Sequence, residues 1–576
     1  MSSRLAPLVL LLVASASSCG GAEARSVLLV TLDTTRADAL GAYGRTPSVT
    51  PHLDRLAAEG VVFERAYTVA PLTQPAHASM LTGLVPPRHG VRDNGLAALP
   101  EEALTLAEAA REAGLATAAF LGSAVLDQGF GLDQGFETYL PPARRFYGES
   151  EPGYAERPAA AVAELARGWL MDLAPERPFF LWAHFWDPHA PHEPSEALLT
   201  RAGGDPYLAE VAACDLALGR ILSALEERGD ADSTLVIVVA DHGEAFGEHG
   251  EVSHGPYVWD TTLRVPFLVR RPGGADGGER VNELASVADV APTALAALGL
   301  DAPDGLDGLD LFSGAREART GLYFESVYGH LAFGWHPLAG ALDAEAKLVR
   351  GARDLLFGAE DLGEEHDLAA AEPETVARLA RVLDAAARAP RLAKDAEGID
   401  GELKRALGAL GYAALSAENL ELPQPGTRVP GLPDPHERLA ELRAAQDAAG
   451  LLVTGSTRAA EDALLALLRS WPDNAFAQDR LAELFLRTGR AREAQAPLQR
   501  VLESGRGGAD TWARLGAAHF VTGDETAALA AFTRALELDP NHVHALGGLL
   551  NVMESAGMSA EAAPFRERFH EAQSRP

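Results

Sequence analysis

Cysteine is nearly absent: Cys19 and Cys214 are the two in 576 residues. That excludes a disulfide-stapled fold and a zinc site built from thiolates. Long apolar runs are missing too, since no internal segment approaches the roughly 20 continuous apolar residues of a membrane-spanning helix. Basic residues are in deficit, with 49 Lys plus Arg against 82 Asp plus Glu and a formal charge of −33. Such a surface repels polyanions at long range, which excludes nucleic-acid binding as the main activity. An anionic substrate would require a metal ion, or a local cluster of Arg and His, to reverse the field at its site.

What is present suffices for several packed cores. Hydrophobic residues make up 47% and charged residues 23%, and the length corresponds to roughly three to four domains. Residues 1–19 read as an export signal, with Arg4 ahead of an apolar run from Leu5 to Ala14 that is too short to span a bilayer. Ala16-Ser17-Ser18-Cys19-Gly20 then resembles a bacterial lipobox, with Ala16 where Leu is usual. The expectation is a lipoprotein of the periplasm or cell envelope, lipidated at Cys19 and touching the membrane through that lipid alone, or else a secreted protein. Cys214 falls in a helical pattern and is expected to pack as a small apolar side chain.

Residues 25–368 alternate short apolar runs with helical periodicity. Strands are expected at Val27 to Leu32, Ala116 to Leu121, Phe179 to Phe185 and Leu235 to Ala240, and helices at Leu53 to Glu59, Leu104 to Ala113 and Tyr207 to Glu227. This order predicts an α/β fold with a mostly parallel sheet, which binds ligands at the carboxyl ends of its strands. Residues 369–419 read as a helical extension and 420–436 as a Pro-rich linker that should leave the two sides folding independently. In residues 437–576 a period of 34 relates Gly489, Gly523 and Gly557, and likewise Ala494, Ala528 and Ala562. Helix-turn-helix units of that length resemble tetratricopeptide repeats, which stack into an all-α solenoid and imply a protein or peptide partner.

Four constellations carry chemistry. Asp33 follows the first strand, at the rim where a metal would bind, although Asp33-Thr34-Thr35 also reads as a helix cap. Thr73-Gln74-Pro75-Ala76-His77 reads as a helix start, with the Thr73 hydroxyl at its positive end and His77, Arg88 and His89 close by as an anion site. Phe179 to Phe185 leads into Asp187-Pro188-His189. Leu235 to Ala240 leads into Asp241-His242-Gly243-Glu244 and a Gly-rich loop with His249 and His254. Carboxylate and imidazole on one rim are metal-ligand chemistry.

In that order VLLVTLDTTRADALGAYG, PLTQPAHASMLTGLVPPRHG, FWDPHAP, VVADHGEAFGEHG and HGPYVWDTTLRVPFLV resemble the sulfatase branch of the alkaline phosphatase superfamily. The resemblance implies an alkaline-phosphatase-like sandwich with a small C-terminal subdomain near 320–368. It implies Asp33, Asp241, His242 and Thr73 around one divalent metal, Zn or Mn favoured by the donors and Mg or Ca possible. Thr73, His77, Arg88, His189 and His254 would act on an anionic ester. Thr73 stands where sulfatases carry the Cys or Ser that becomes formylglycine, so no formylglycine is expected; His77 replaces an Arg and Thr34 replaces an Asp. The set also resembles lipoteichoic acid synthases and phosphoethanolamine transferases, which use a Thr nucleophile. Hydrolysis of a phosphate, phosphonate or sulfate ester, headgroup transfer, and a non-catalytic scaffold working through its repeats are the open readings.

Overall fold

The computed structural model describes residues 23–147, 151–154, 156–392, 422–558 and 560–573. The expected export signal with Cys19, and residues 393–419 of the expected helical extension, lie outside them. In chain order the strands are β1 (Ser26–Leu32), β2 (Val61–Tyr67), β3 (Ala116–Leu121), β4 (Thr138–Leu140), β5 (Arg144–Tyr147), β6 (Glu151–Tyr154), β7 (Phe179–Phe185), β8 (Thr234–Ala240), β9 (Ala245–Phe246), β10 (Val252–Ser253), β11 (Arg264–Val265), β12 (Phe267–Arg270) and β13 (Glu279–Ser286). Four more, β14 (Leu322–Ser326), β15 (Leu338–Leu342), β16 (Ala346–Arg350) and β17 (Asp354–Gly358), form a separate antiparallel sheet.

The large sheet runs β11-β2-β12-β8-β1-β7-β3-β4, with β13 on β2. β1 lies at its centre because all seven of its residues, SVLLVTL, are buried, the near-continuous apolar pattern of a strand covered on both faces. Parallel β7 and β8 flank it. The departures from parallel order are β11 and β12, antiparallel to their neighbours; both are short and carry little periodicity. Among the covering helices, Pro206–Arg228 starts where the Asp205 side chain accepts the Leu208 N–H and ends at Gly229 (φ +75°), as capping chemistry requires. Cys214 is buried within it as a free thiol. The small sheet is backed by the helix Pro373–Arg388 through Leu379 and Leu383.

The C-terminal region is helical from Leu439 to Gln573, in pairs joined by turns at Gly455, Gly489, Gly523 and Gly557. Their φ values of +72°, +75°, +85° and +73° place each in the left-handed region that glycine adopts without steric cost. The 34-residue spacing therefore marks where each helix pair turns.

One expectation is overturned. The Pro-rich segment does not separate two independent units, because a single buried cluster joins Tyr257, Phe333 and Trp335 to Leu442, Leu464 and Leu481 of the helical array. Polar bonds reinforce it: Trp335 Nε1–H donates to Glu441 Oε2 (3.2 Å), Tyr257 O–H to the Pro435 carbonyl (2.9 Å), and Arg443 to the Gly250 carbonyl (3.1 Å). The linker itself is pinned by the His336 N–H on the Pro433 carbonyl (2.9 Å). A chain ending at Pro423 is therefore expected to be insoluble or to bind hydrophobic dyes strongly. Trp335→Ala should cost about 3–5 kcal/mol, read as a drop in thermal midpoint. A truncated protein as stable as its parent would contradict the shared core.

Candidate active site

β1 and β8 are adjacent and parallel with Leu32 opposite Ala240, so the next residues, Asp33 and Asp241, leave the sheet side by side. Ligand atoms of Asp33, Asp241 and His242 all lie within 4.8 Å of one another. His242 Nε2 is 3.8 Å from Asp33 Oδ1 and 3.6 Å from Asp241 Oδ2. Thr73 Oγ1 is 3.4 Å from the same nitrogen, and all four residues are buried. His242 Nδ1 is 3.0 Å from the Gly243 carbonyl. A carbonyl only accepts, so Nδ1 carries the proton and Nε2 presents a lone pair to the cluster.

Electrostatics explain what such a cluster needs. Burial, with a smaller contribution from the charge of Glu244, pushes Asp33 up to about 7. Burial and the charge of Asp33 push Asp241 up to about 7. Burial also holds His242 down to about 4, hence neutral. Both carboxylate oxygens of Asp33, and Oδ2 of Asp241, are buried without a hydrogen-bond partner, an arrangement that costs free energy unless a proton or cation fills it. Donor atoms 3.6 to 3.8 Å apart can each reach one ion at about 2.1 Å. These residues could hold a divalent metal.

The remaining sequence candidates divide. His189 and His254 join the cluster: their rings meet edge to face at 5.2 Å, and His254 lies 4.4 Å from the His242 ring. Glu244, to which the sequence reading gave no role, orients His254 through its Nδ1 at 3.1 Å. His77 and Arg88 must be reassigned. His77 is fully buried, with Nδ1 on the Thr73 carbonyl (2.7 Å) and Nε2 on Thr31 Oγ1 (3.0 Å); with both nitrogens occupied, it fixes the turn that carries Thr73 and cannot reach an ester. Arg88 pairs with Asp307 at 3.0 Å and donates to the Gly305 carbonyl. His89 bonds Ser79 (2.9 Å).

The helix Thr73–Thr82 begins at Thr73 as expected, but its first turn is not an open anion site. The Gln74 N–H donates to Asn94 Oδ1 (2.9 Å), Pro75 has none, and the Ala76 N–H returns to the Leu72 carbonyl (3.2 Å). The local reversal of charge expected from Arg88 and His89 is therefore not built from those residues.

Because Asp33 and Asp241 hold protons below about pH 7 in the metal-free protein, a cation must displace both. Affinity for Zn or Mn should level off above that pH and fall by up to about 100-fold per unit below it, about tenfold per displaced proton. Calorimetry in buffers of different ionisation enthalpy reads the proton release directly. A flat affinity from pH 5 to 8 would contradict the assignment of these carboxylates.

Comparison with known proteins agrees with the geometry. The sulfatase family model matches residues 25–300 and a tetratricopeptide repeat model matches 509–542. An ulvan-active sulfatase of Formosa agariphila is 30% identical over 297 residues, 43% of this chain and 56% of that protein. Human N-acetylgalactosamine-6-sulfatase is 28% identical over 318 residues, 46% of this chain and 61% of its own length, so the chain spans less than two thirds of either relative. The structure of BT4656 in complex with D-glucosamine-2-N,6-O-disulfate shares the fold, with TM-score 0.54 at 17% identity over 63% of this chain and 97% of that one. A phosphonate monoester hydrolase of Agrobacterium radiobacter matches with TM-score 0.50 at 25% identity over 62% of this chain and 94% of that one. Strand order, the Asp33–Asp241–His242 cluster and these matches together support a sulfatase-type domain over residues 25–300, followed by tetratricopeptide repeats towards the C-terminal end.

Proposed function

We propose that the chain is an exported, metal-dependent ester hydrolase of the sulfatase type, in which the Thr73 hydroxyl attacks a phosphate, phosphonate or sulfate ester. The observation that carries this reading is Thr73 Oγ1 at 3.4 Å from His242 Nε2, beside Asp33 and Asp241. Asp33, Asp241 and His242 would hold one divalent ion, Zn or Mn on donor chemistry, which when bound supplies Lewis-acid polarisation and a lowered hydroxyl pKa.

The chain's own residues then divide the work. His77 holds the Thr73 carbonyl and so fixes the direction from which the hydroxyl approaches. His254, oriented by Glu244, can hold a proton for the leaving oxygen when the site contains an anionic ester that favours the imidazolium. His189, stacked on Trp186 at 5.2 Å and edge-on to His254, walls the same side and can bond an ester oxygen.

The nucleophile separates substrates. A formylglycine diol can release sulfate by collapsing to an aldehyde, with carbon–oxygen cleavage. A Thr ester lacks that exit, so its covalent adduct must be resolved by a second in-line attack on the central atom, which suits phosphorus better than sulfur. Phosphate or phosphonate esters are the preferred substrates; the resemblance to the phosphonate monoester hydrolase, at 25% identity, points the same way. The repeats would recruit a protein or peptide partner. Export rests on residues 1–19, and Cys19→Ser should release the protein from the membrane fraction if Cys19 is lipidated.

Thr73→Ala is expected to lose nearly all turnover while keeping fold and metal, and Thr73→Ser to retain part of it because the hydroxyl survives. Activity should need no formylglycine-generating enzyme. A slow phosphonate monoester should leave its adduct on the peptide containing Thr73; an adduct on Ser79 would move the nucleophile and end this mechanism. Among aryl sulfate, phosphate monoester, phosphodiester and phosphonate monoester, the phosphorus esters should turn over fastest.

A further inference from the structure

His254 reaches the active site on a loop whose backbone is held where residues other than glycine rarely go. Between Gly247 (φ +117°) and Gly255 (φ +106°), His249 stands at φ +49° and Ser253 at φ +120°. Such conformations persist only where the surroundings over-determine them. The loop's own ladder is too short to do so, since β9 and β10 pair through Phe246–Val252 and Ala245–Ser253 alone. Further restraints come from the chain beyond the Pro-rich linker. Gln446 Nε2–H donates to the Val252 carbonyl (3.1 Å), and that carbonyl lies in the rigid peptide plane whose rotation about the Ser253 N–Cα bond defines Ser253 φ. Arg443 Nε–H donates to the Gly250 carbonyl (3.1 Å), and the space that a Gly250 Cβ would need is filled by Leu439. The His249 ring stacks on Trp259 at 4.0 Å, and Trp259 meets His436 of the linker at 5.3 Å.

We propose that the first repeat helix, Leu439–Val453, works for the active site, with Arg443 and Gln446 as positioning residues for His254. This deepens the proposed function and rests on its assignment of the leaving-group proton to His254. The lever is short. His254 follows the pinned Val252–Ser253 peptide directly, and its Nδ1 meets Glu244 Oε1 at 3.1 Å while its ring lies 4.4 Å from that of His242. Relaxation of Ser253 to an ordinary negative φ would swing His254 away from both, because a backbone rotation moves everything after it. Arg443 and Gln446 reach the reaction through the loop alone. Proton delivery therefore depends on them. Attack by Thr73 does not, since Thr73 opens a separate helix, Thr73–Thr82, and is held by His77.

The test uses the full chain and a pair of phosphonate monoesters. The leaving oxygen of the para-nitrophenyl ester departs without a proton, whereas that of an alkyl ester needs one. Gln446→Met, which keeps the length of the side chain and removes the donor, and Arg443→Ala should each lower kcat on the alkyl ester about 10–100-fold, a part of the roughly 10²–10⁴ that a general acid supplies. Turnover of the para-nitrophenyl ester, KM, metal content and thermal midpoint should stay near wild type. Arg443→Lys, which keeps a donor, should restore part of the loss, and deuterium uptake by residues 247–255 should rise in the two donor-less variants. His254→Gln should show the same selective loss in full. If His254→Gln shows it and the two variants do not, if their deuterium uptake is unchanged, or if both esters slow equally as the thermal midpoint falls, the proposal is overturned and His254 keeps its role. A His254→Gln variant without the selective loss would overturn that role, and the proposal with it.

Discussion

Asp33 and Asp241 end neighbouring parallel strands, and the register that pairs Leu32 with Ala240 leaves no freedom to separate them. Two carboxylates are thereby confined to one buried volume with hardly any donors. At an effective dielectric of about 20, two like charges roughly 4 Å apart repel by about 4 kcal/mol, before either is charged for leaving water. The pair must therefore share protons or a cation. The surrounding imidazoles respond to the same dryness: His77, His184, His242 and His254 are all held well below the usual histidine range, with burial as the leading cause. They are neutral, and their lone pairs and N–H groups are assigned by the bonds they make.

The fold keeps this arrangement rigid from both sides. Below, the fully buried apolar strands β1, β7 and β8 fix the positions of the ligands. Above, the loop from Gly247 to His254 is braced by the helical array, since Arg443 and Gln446 donate to the carbonyls of Gly250 and Val252. A Cβ at Gly250 would collide with Leu439, so the loop and the first repeat helix are fitted to each other. The repeats thus stand as a structural wall of the loop that carries His254.

Much of this was legible in the sequence, for definite physical reasons. Asp33, Asp241 and His242 follow long apolar runs, and a parallel sheet puts such residues on one rim. The repeat turns were legible because only glycine fits their backbone at low cost. Arg88 and His77 misled because proximity in sequence to Thr73 says nothing of direction: one side chain turns to Asp307, the other into the Thr31 network. The interface with the repeats had no sequence signal, since Trp335 and Leu442 lie far apart in the chain and neither belongs to a periodic pattern that names its partner.

The central claim is that one cation resolves the Asp33–Asp241 conflict within reach of Thr73. Anomalous diffraction from crystals of the Zn- or Mn-loaded protein, collected on both sides of the metal's absorption edge, tests it most directly. The account predicts a single strong peak bounded by Asp33, Asp241 and His242, with Thr73 Oγ1 adjacent. Metal-loaded crystals with no peak there, or with the peak elsewhere and the two carboxylates hydrogen-bonded to each other through a proton, would contradict it.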